Sequence, residues 1–113
     1  ILLNQNIRRI DEAAFFNRDD LHTIDIPNSV TSLGDFCFAY CRRLGQVVIG
    51  EGVDVIPYGC FQRCKFLMKS RIFIKGNNVK YMRKCFDGIR PNLTPNERLR
   101  YQPLFNSRKE LDW

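Results

Sequence analysis

The sequence repeats itself with a period of 23 residues. Three successive stretches of the chain align with one another: residues 7–27, 30–50 and 53–75. Seven columns of this alignment agree in chemistry, and the most distinctive column contains one phenylalanine per copy: Phe15, Phe38 and Phe61. Because a unit of this length cannot bury its own apolar face, the period predicts copies that stack around a continuous core.

Each copy contains a short alternating segment that is typical of a half-buried β-strand. The alternation occurs in three segments: Ile24-Asp25-Ile26, Val47-Val48-Ile49 and Ile72-Phe73-Ile74. Outside these segments, Asp11 and Asp35 are placed to cap a short helical turn, and Pro57 suits its first position. The pattern therefore predicts an α/β-type repeat solenoid, a right-handed superhelix with one short strand and one short helical turn in each repeat of about 23 residues.

The repeat pattern ends before the chain does. Residues 1–89 comprise a partial copy, three fuller copies and a degenerate last copy that begins at Val79. Residues 90–113 lack the pattern and contain two helix-capping boxes, which start at Thr94 and Ser107. Since the end of a stack exposes its core, we interpret residues 90–113 as a C-terminal helical cap. The chain opens on a strand position without such a cap, which favours a longer parent chain with more repeats upstream.

One copy carries a motif that resembles a known family. Residues 21–41 read LHTIDIPNSVTSLGDFCFAYC. This segment is similar to the pattern Leu-x-x-Ile-x-Ile-Pro-x-x-Val-x-x-Ile-Gly-x-x-Ala-Phe-x-x-Cys of the BspA-like, or Treponema pallidum type, leucine-rich repeats, from which only Leu33 and Cys37 depart. The resemblance covers about residues 1–89 and implies surface or secreted proteins of bacteria and some microbial eukaryotes, in which such arrays attach to host or neighbouring cells.

Charge is distributed unevenly along the chain. The formal net charge is +6, with −3 in residues 1–61 and +9 in residues 62–113. A basic half can indicate nucleic acid, an anionic surface or an acidic partner, and a solvated face that serves solubility is the favoured interpretation of so modest a charge. Seven cations are dense enough to contact phosphates: Lys69, Arg71, Lys75, Lys80, Arg83, Lys84 and Arg90. Because no groove-reading helix or RNA-binding signature accompanies them, nucleic acid is a disfavoured partner. No apolar run approaches the roughly 20 residues of a membrane span.

The sequence does not contain a recognisable catalytic constellation. His22 is the only histidine, and the pattern places no nucleophile beside it, so we predict a non-enzymatic protein without a cofactor. Five cysteines occupy two columns of the repeat: Cys37, Cys60 and Cys85 in one, Cys41 and Cys64 in the other. Stacked thiolates could form a zinc site, and Cys41 and Cys64 could form a disulfide. An odd number of cysteines in buried columns favours free thiols that fill core space, and we predict no metal.

The outward positions of the strands form the candidate binding surface, which we call the strand face. We assign seven residues to it: Thr23, Asp25, Gln46, Val48, Arg71, Phe73 and Lys75. Val48 and Phe73 make this face more apolar than solubility requires, and the basic side chains around Phe73 suit a protein-binding hot spot. A structural scaffold repeat, in which scattered apolar residues bind no ligand, is the alternative interpretation.

These observations predict a non-enzymatic protein-binding or adhesion module of a cell-surface or secreted leucine-rich-repeat protein. The expected partner is a protein, carried by a host or a neighbouring cell. A basic surface that binds nucleic acid is a less favoured alternative. A cytoplasmic location also stays open, because unpaired cysteines suit a reducing compartment.

Overall fold

In a computed structural model, which describes residues 3–89, the chain consists of short parallel β-strands connected by turns. The strands of this part follow in chain order: β1 (Arg9–Ile10), β2 (Thr23–Ile26), β3 (Ser32–Leu33), β4 (Gln46–Ile49), β5 (Val55–Ile56), β6 (Ile72–Ile74) and β7 (Lys80–Tyr81). A 3-10 helix, Lys69–Arg71, immediately precedes β6. Within residues 3–89, no helix has both the length and the apolar character that crossing a membrane requires.

The longer strand of each copy joins a three-stranded parallel sheet in the order β2-β4-β6. Its register places Ile24 beside Val47 and Val47 beside Ile72, so equivalent positions of the repeat are neighbours in the sheet. Alternate side chains enter the core, as in β2, where Ile24 and Ile26 are buried and the residues before each of them are exposed. The predicted strands and their parallel stacking are confirmed.

The sequence predicts one strand per copy, whereas the structure contains two. β1 pairs with β3, and β5 pairs with β7, in parallel and at the same position of the repeat. One column of the repeat supplies the buried residue of each short strand: Ile10, Leu33, Ile56 and Tyr81. A strand of two residues offers too few positions for alternation to be detected. The sequence therefore shows the buried column in the first three copies, but it shows neither its continuation at Tyr81 nor the backbone pairing.

The prediction of a helical turn in each copy is wrong. The segment after each short strand consists of hydrogen-bonded turns, and several of its amides donate to the neighbouring copy and not along a helix. The amide of Phe15, for example, donates to the carbonyl oxygen of Cys37 at 2.7 Å. The first turn also contains a left-handed residue, Ala13, with a φ of 54°. Such a residue interrupts a right-handed helix.

The left-handed conformation recurs at the same repeat position in every later copy: Phe36, Gly59 and Lys84. Because the turns do not continue as helices, the capping role predicted for Asp11 and Asp35 does not arise. Asp11 instead forms an exposed salt bridge with Arg9 at 3.0 Å. The helical cap predicted for residues 90–113 lies outside the described residues.

The phenylalanine column forms a continuous aromatic stack through the core. Ring centroids are 5.2 Å apart for Phe15 and Phe38, 5.3 Å for Phe38 and Phe61, and 5.4 Å for Phe61 and Phe86. The ring planes deviate from parallel by 5° or less. The predicted 23-residue stacking is therefore confirmed at its most distinctive column, and Phe86 extends the stack into the fourth copy.

The third copy differs from the second by an insertion just before its long strand. Leu44 and Val47 are three positions apart, whereas their counterparts Leu67 and Ile72 are five apart. The 3-10 helix Lys69–Arg71 accommodates the two additional residues. Because it does so outside the sheet, Val47 and Ile72 stay in register.

Candidate functional site

The strand face contains one row of side chains that the sheet register aligns. Asp25 lies opposite Val48, and Val48 lies opposite Phe73. Asp25 is exposed, Val48 is half-buried, and the Phe73 side chain is 47% exposed. The structure thus places an acidic, an aliphatic and an aromatic side chain next to one another on adjacent strands. Leu2, which would continue the row, lies outside the described residues.

The second row of the strand face borders a cleft at the beginning of the strands. Thr23 and Gln46 are paired first residues of β2 and β4, and Arg71 ends the 3-10 helix before β6. All three line a cleft of about 280 Å³, which we call the end cleft. Five further residues line it: His22, Arg43, Gly45, Phe66 and Met68.

A glycine explains why the end cleft is open. His22, Gly45 and Met68 occupy one column of the repeat, so the middle copy lacks a side chain where its neighbours have one. The amide of Gly45 donates to the carbonyl oxygen of His22 at 2.8 Å, which holds the backbone of the two copies together. A Cβ atom at Gly45 would lie 3.3 Å from the Phe66 ring. The glycine therefore leaves room beside that ring.

The charge of the end cleft is positive. Arg43 and Arg71 line it, and none of its lining residues in the described part of the chain is acidic. In the first copy, the turn equivalent to the one that carries Arg43 contains two acidic residues, and each of them binds an arginine that does not line the cleft. Asp19 accepts a hydrogen bond from Arg42 at 2.9 Å, and Asp20 accepts one from Arg18 at 2.6 Å.

Two columns of the repeat place an acidic residue of the first copy beside an arginine of the second copy, but only one of these columns forms an ion pair between the copies. Asp19 and Arg42 share a column and pair between copies, with both side chains more than half exposed. Asp20 and Arg43 also share a column, but Asp20 pairs within its own copy. The hydrogen bond from Arg42 is the main cause of the lowered pKa of Asp19, and the charge of Arg43 contributes less.

Lys75 follows β6 at the rim of the strand face. Its amide donates to the carbonyl oxygen of Ile49 at 3.0 Å, and its side chain is exposed. The basic residues farther along the chain lie on other elements: Lys80 belongs to β7, and Arg83 and Lys84 to the turn after it. The cations that the sequence groups together are therefore divided between the strand face and the fourth copy. Arg90 lies outside the described residues.

The cysteines lie in the core and are free thiols. All five are buried, and the Sγ atoms of Cys37 and Cys60 are 3.5 Å apart. Burial is the main cause of the raised pKa of Cys60. The thiols of Cys41 and Cys64 donate to the carbonyl oxygens of Phe15 and Phe38, each at 3.1 Å, and the interaction between the two thiols is the main cause of the lowered pKa of Cys41 and the raised pKa of Cys64. Among residues 3–89, no cluster of three or more histidine, cysteine or acidic residues could hold a metal ion.

Sequence reasoning identified three residues of the end cleft and missed the others. Phe66 is 58% exposed, the largest exposed fraction among the exposed large apolar side chains of residues 3–89. The insertion before Ile72 and the glycine between His22 and Met68 were the signals that could have indicated a cleft. Both are interruptions of the repeat, so an alignment of the repeat's regular columns does not reveal them.

Comparison with known proteins places the chain in a family. A family model described as BspA type leucine-rich repeat region (6 copies) matches residues 1–94, and the chain therefore belongs to this family. Proteins of this type are generally interaction or adhesion modules, typically without catalytic activity, and typically surface or secreted proteins. Neither a search of curated proteins nor a search of solved structures gave a significant match.

Proposed function

We propose that this chain is a non-enzymatic adhesion module that binds a partner protein through the strand face. The observation that carries the proposal is the row of Asp25, Val48 and Phe73, in which a large aromatic side chain stays 47% exposed on a sheet. Arginine and aromatic residues are enriched among the side chains that dominate protein–protein binding energy. A sheet also holds its side chains at set spacings, which reduces the conformational entropy lost on binding.

The experiment needs a defined partner. Fragments of extracellular proteins are displayed as a library and selected with the unmodified 113-residue chain, and the dissociation constant of the purified fragment is measured. Phe73→Ala is expected to weaken binding by about 30-fold or more, as for an interface hot spot. Arg71→Ala is expected to weaken it by about tenfold. Both side chains are exposed, so the melting temperature should stay unchanged.

Phe16→Ala is the matched control. Phe16 is also 47% exposed, but it lies in a turn and packs against Tyr40. Its replacement should leave affinity unchanged. Equal affinity of Phe73→Ala and the unmodified chain would refute the proposed role of the strand face and favour a scaffold repeat without a dedicated ligand.

We also propose that the stacked copies form a right-handed solenoid, that residues 90–113 form its helical cap, and that the parent protein is surface-exposed or secreted. The family match, the parallel register and the continuous phenylalanine stack support the solenoid. Slow amide exchange in residues 95–102 of the full chain is expected if a docked helix starts at the first capping box. The parent reading frame tests the location, since a leader sequence, wall anchor or transmembrane tail would establish the compartment.

A further inference from the structure

We propose that the end cleft binds an acidic peptide segment of the partner, with a carboxylate at Arg43 and Arg71 and a neighbouring apolar side chain against Phe66. This inference rests on the proposed function, because it names the chemistry of the partner at one edge of the strand face. Three properties of the cleft support it: its charge, its apolar wall and its position.

Within the described residues, the two arginines of the cleft, Arg43 and Arg71, have no salt-bridge partner. The two acids of the equivalent turn in the preceding copy, Asp19 and Asp20, accept hydrogen bonds from other arginines. Asp25 is on the strand face but belongs to the adjacent row, opposite Val48. A carboxylate is the complementary group, because guanidinium groups bind carboxylates through paired, charge-assisted hydrogen bonds.

The apolar wall selects a peptide over a simple anion. Phe66 presents an aromatic ring that is 58% exposed, and Gly45 leaves space beside it. The volume of about 280 Å³ is larger than the roughly 150 Å³ of a protein cavity that accommodates benzene. The cleft can therefore hold an apolar side chain together with an adjoining carboxylate, whereas an inorganic anion would leave the ring uncovered.

The position of the cleft makes it continuous with the strand face. Thr23 and Gln46 belong to both, and Arg71 lies beside the strand that carries Phe73. An extended peptide can therefore place one side chain in the cleft and others along the row of Asp25, Val48 and Phe73. The segment 90–113 of the same chain is a poorer occupant, since it carries five basic and three acidic residues and a net charge of +2.

The probe for this proposal is a fluorescein-labelled peptide of alternating glutamate and phenylalanine, six residues long, titrated with the full chain. Two matched peptides separate the contributions of charge and apolar contact: one replaces glutamate by lysine, and the other replaces phenylalanine by serine. The glutamate–phenylalanine peptide is expected to bind at least about tenfold more tightly than either. Its affinity should fall with added salt, because the contact is partly electrostatic.

Three substitutions locate the probe. Arg43→Gln and Phe66→Ser should each weaken binding of the probe by about tenfold. Gly45→Met should do the same without changing charge, because it fills the cleft with the side chain found at this position in the next copy. Arg42→Gln is the control, since Arg42 is adjacent in sequence but pairs with Asp19 outside the cleft. It should leave the affinity for the probe unchanged.

Several outcomes would overturn the inference. They are equal binding of the three peptides, equal binding by Arg43→Gln and Arg42→Gln, and displacement of the probe by a short single-stranded oligonucleotide more readily than by the glutamate–serine peptide. The last result would assign the cleft to phosphates. The proposed function is tested separately by Phe73→Ala, because Phe73 does not line the cleft. A selected partner that requires Phe73 but not Arg43 would retain the strand face and eliminate the acidic-peptide assignment.

Discussion

The phenylalanine stack contributes the largest fully buried side chains of the described core. Phe38 and Phe61 are inaccessible to solvent, whereas Phe15 is only half-buried. Each inner ring contacts an equivalent ring on both sides, so it serves the packing of three copies at once. The centroid distances lie within the range of about 4.5–7 Å in which aromatic pairs interact favourably.

Replacement of an inner ring should therefore be costly. Phe38→Ala is expected to lower the free energy of unfolding by about 3–5 kcal/mol, because it removes buried apolar area and leaves a cavity. Phe16→Ala, at an exposed turn position, should cost less than about 1 kcal/mol. Urea denaturation followed by circular dichroism measures both values. Similar losses for the two variants would contradict the central role of the stack.

The pairing of Asp20 with Arg18 predicts a pH dependence of stability. The hydrogen bond from Arg18 lowers the pKa of Asp20 from 3.8 to about 2. Since the folded state has the lower pKa, the pair stabilises the protein above pH 3.8, and this contribution is lost as the pH falls towards about 2. Asp20→Asn should remove this component, so stability curves of the variant and the parent should converge in acid.

Carboxyl chemical shifts, followed by NMR during an acid titration, check the origin of this effect. The Asp20 carboxyl is expected to titrate near pH 2 in the unmodified chain and closer to 3.8 in Arg18→Gln. Both side chains of the pair are substantially exposed, so salt should reduce the difference. An Asp20 carboxyl that titrates at the same pH in both chains would refute the assignment.

At the scale of elements, the turns show why a helix does not form in these repeats. A helical turn satisfies its amides within one copy, but here the amides of Phe15, Phe38 and Phe61 donate to carbonyl oxygens of the next copy. The three sheets and the turns thus share one principle, which is hydrogen bonding between stacked copies. Satisfying buried backbone groups in this way stabilises the stack as well as each turn.

The insertion before β6 provides a test at this scale. Deletion of Lys69 and Ser70 restores the spacing of the second copy, so the chain should fold with β6 still paired to β4. The melting temperature should change by less than about 8 °C, equivalent to about 1 kcal/mol in a domain of this size. The affinity for the glutamate–phenylalanine probe should be lost, because Phe66, Met68 and Arg71 are repositioned.

Deletion of Asp54 and Val55 is the matched control. It also removes two residues, but one of them, Val55, belongs to the third copy's short strand, and the other, Asp54, directly precedes that strand, so Ile56 shifts out of its buried column. This variant should lose cooperative unfolding. If both deletions unfold the chain to the same extent, the 3-10 helix is a required part of the stack and not an insertion outside it.

At the scale of the whole molecule, neighbouring copies supply one another's core. The sheet β2-β4-β6 and the aromatic stack both run from copy to copy, and each copy contacts mainly its neighbours. Stability in such an array is approximately a sum of copy and interface contributions. The copies in the middle have two such interfaces and should open less readily than the first copy.

Hydrogen exchange can detect this gradient. Amides of residues 36–40, which bond to the third copy, should exchange more slowly than those of residues 13–17, although the two turns have equivalent geometry. Exchange of the full chain followed by mass spectrometry gives the comparison by peptide. Faster exchange in the second copy than in the first would contradict the nearest-neighbour description.

The sequence alone determined the period, the three long strands and their neighbours, because the buried columns of a repeat must stack on themselves. The columns of Phe15 and Ile24 each predicted a contact that the structure contains. The outward row of Asp25, Val48 and Phe73 follows from the same alternation, whereas Arg71 and Lys75 lie just outside β6. These features depend on local patterns that a repeat reinforces at every copy.

Only the tertiary structure decided the backbone of the turns, the second ladder and the end cleft. Alternate amides of the turns bond to another copy, and this choice is invisible in the residues of one copy. The short strands are held by pairing and not by a pattern of their own. The cleft lies where Gly45 omits a side chain and where Arg71, at the end of the 3-10 helix, joins Thr23 and Gln46 in the lining, so it depends on how three copies meet in space.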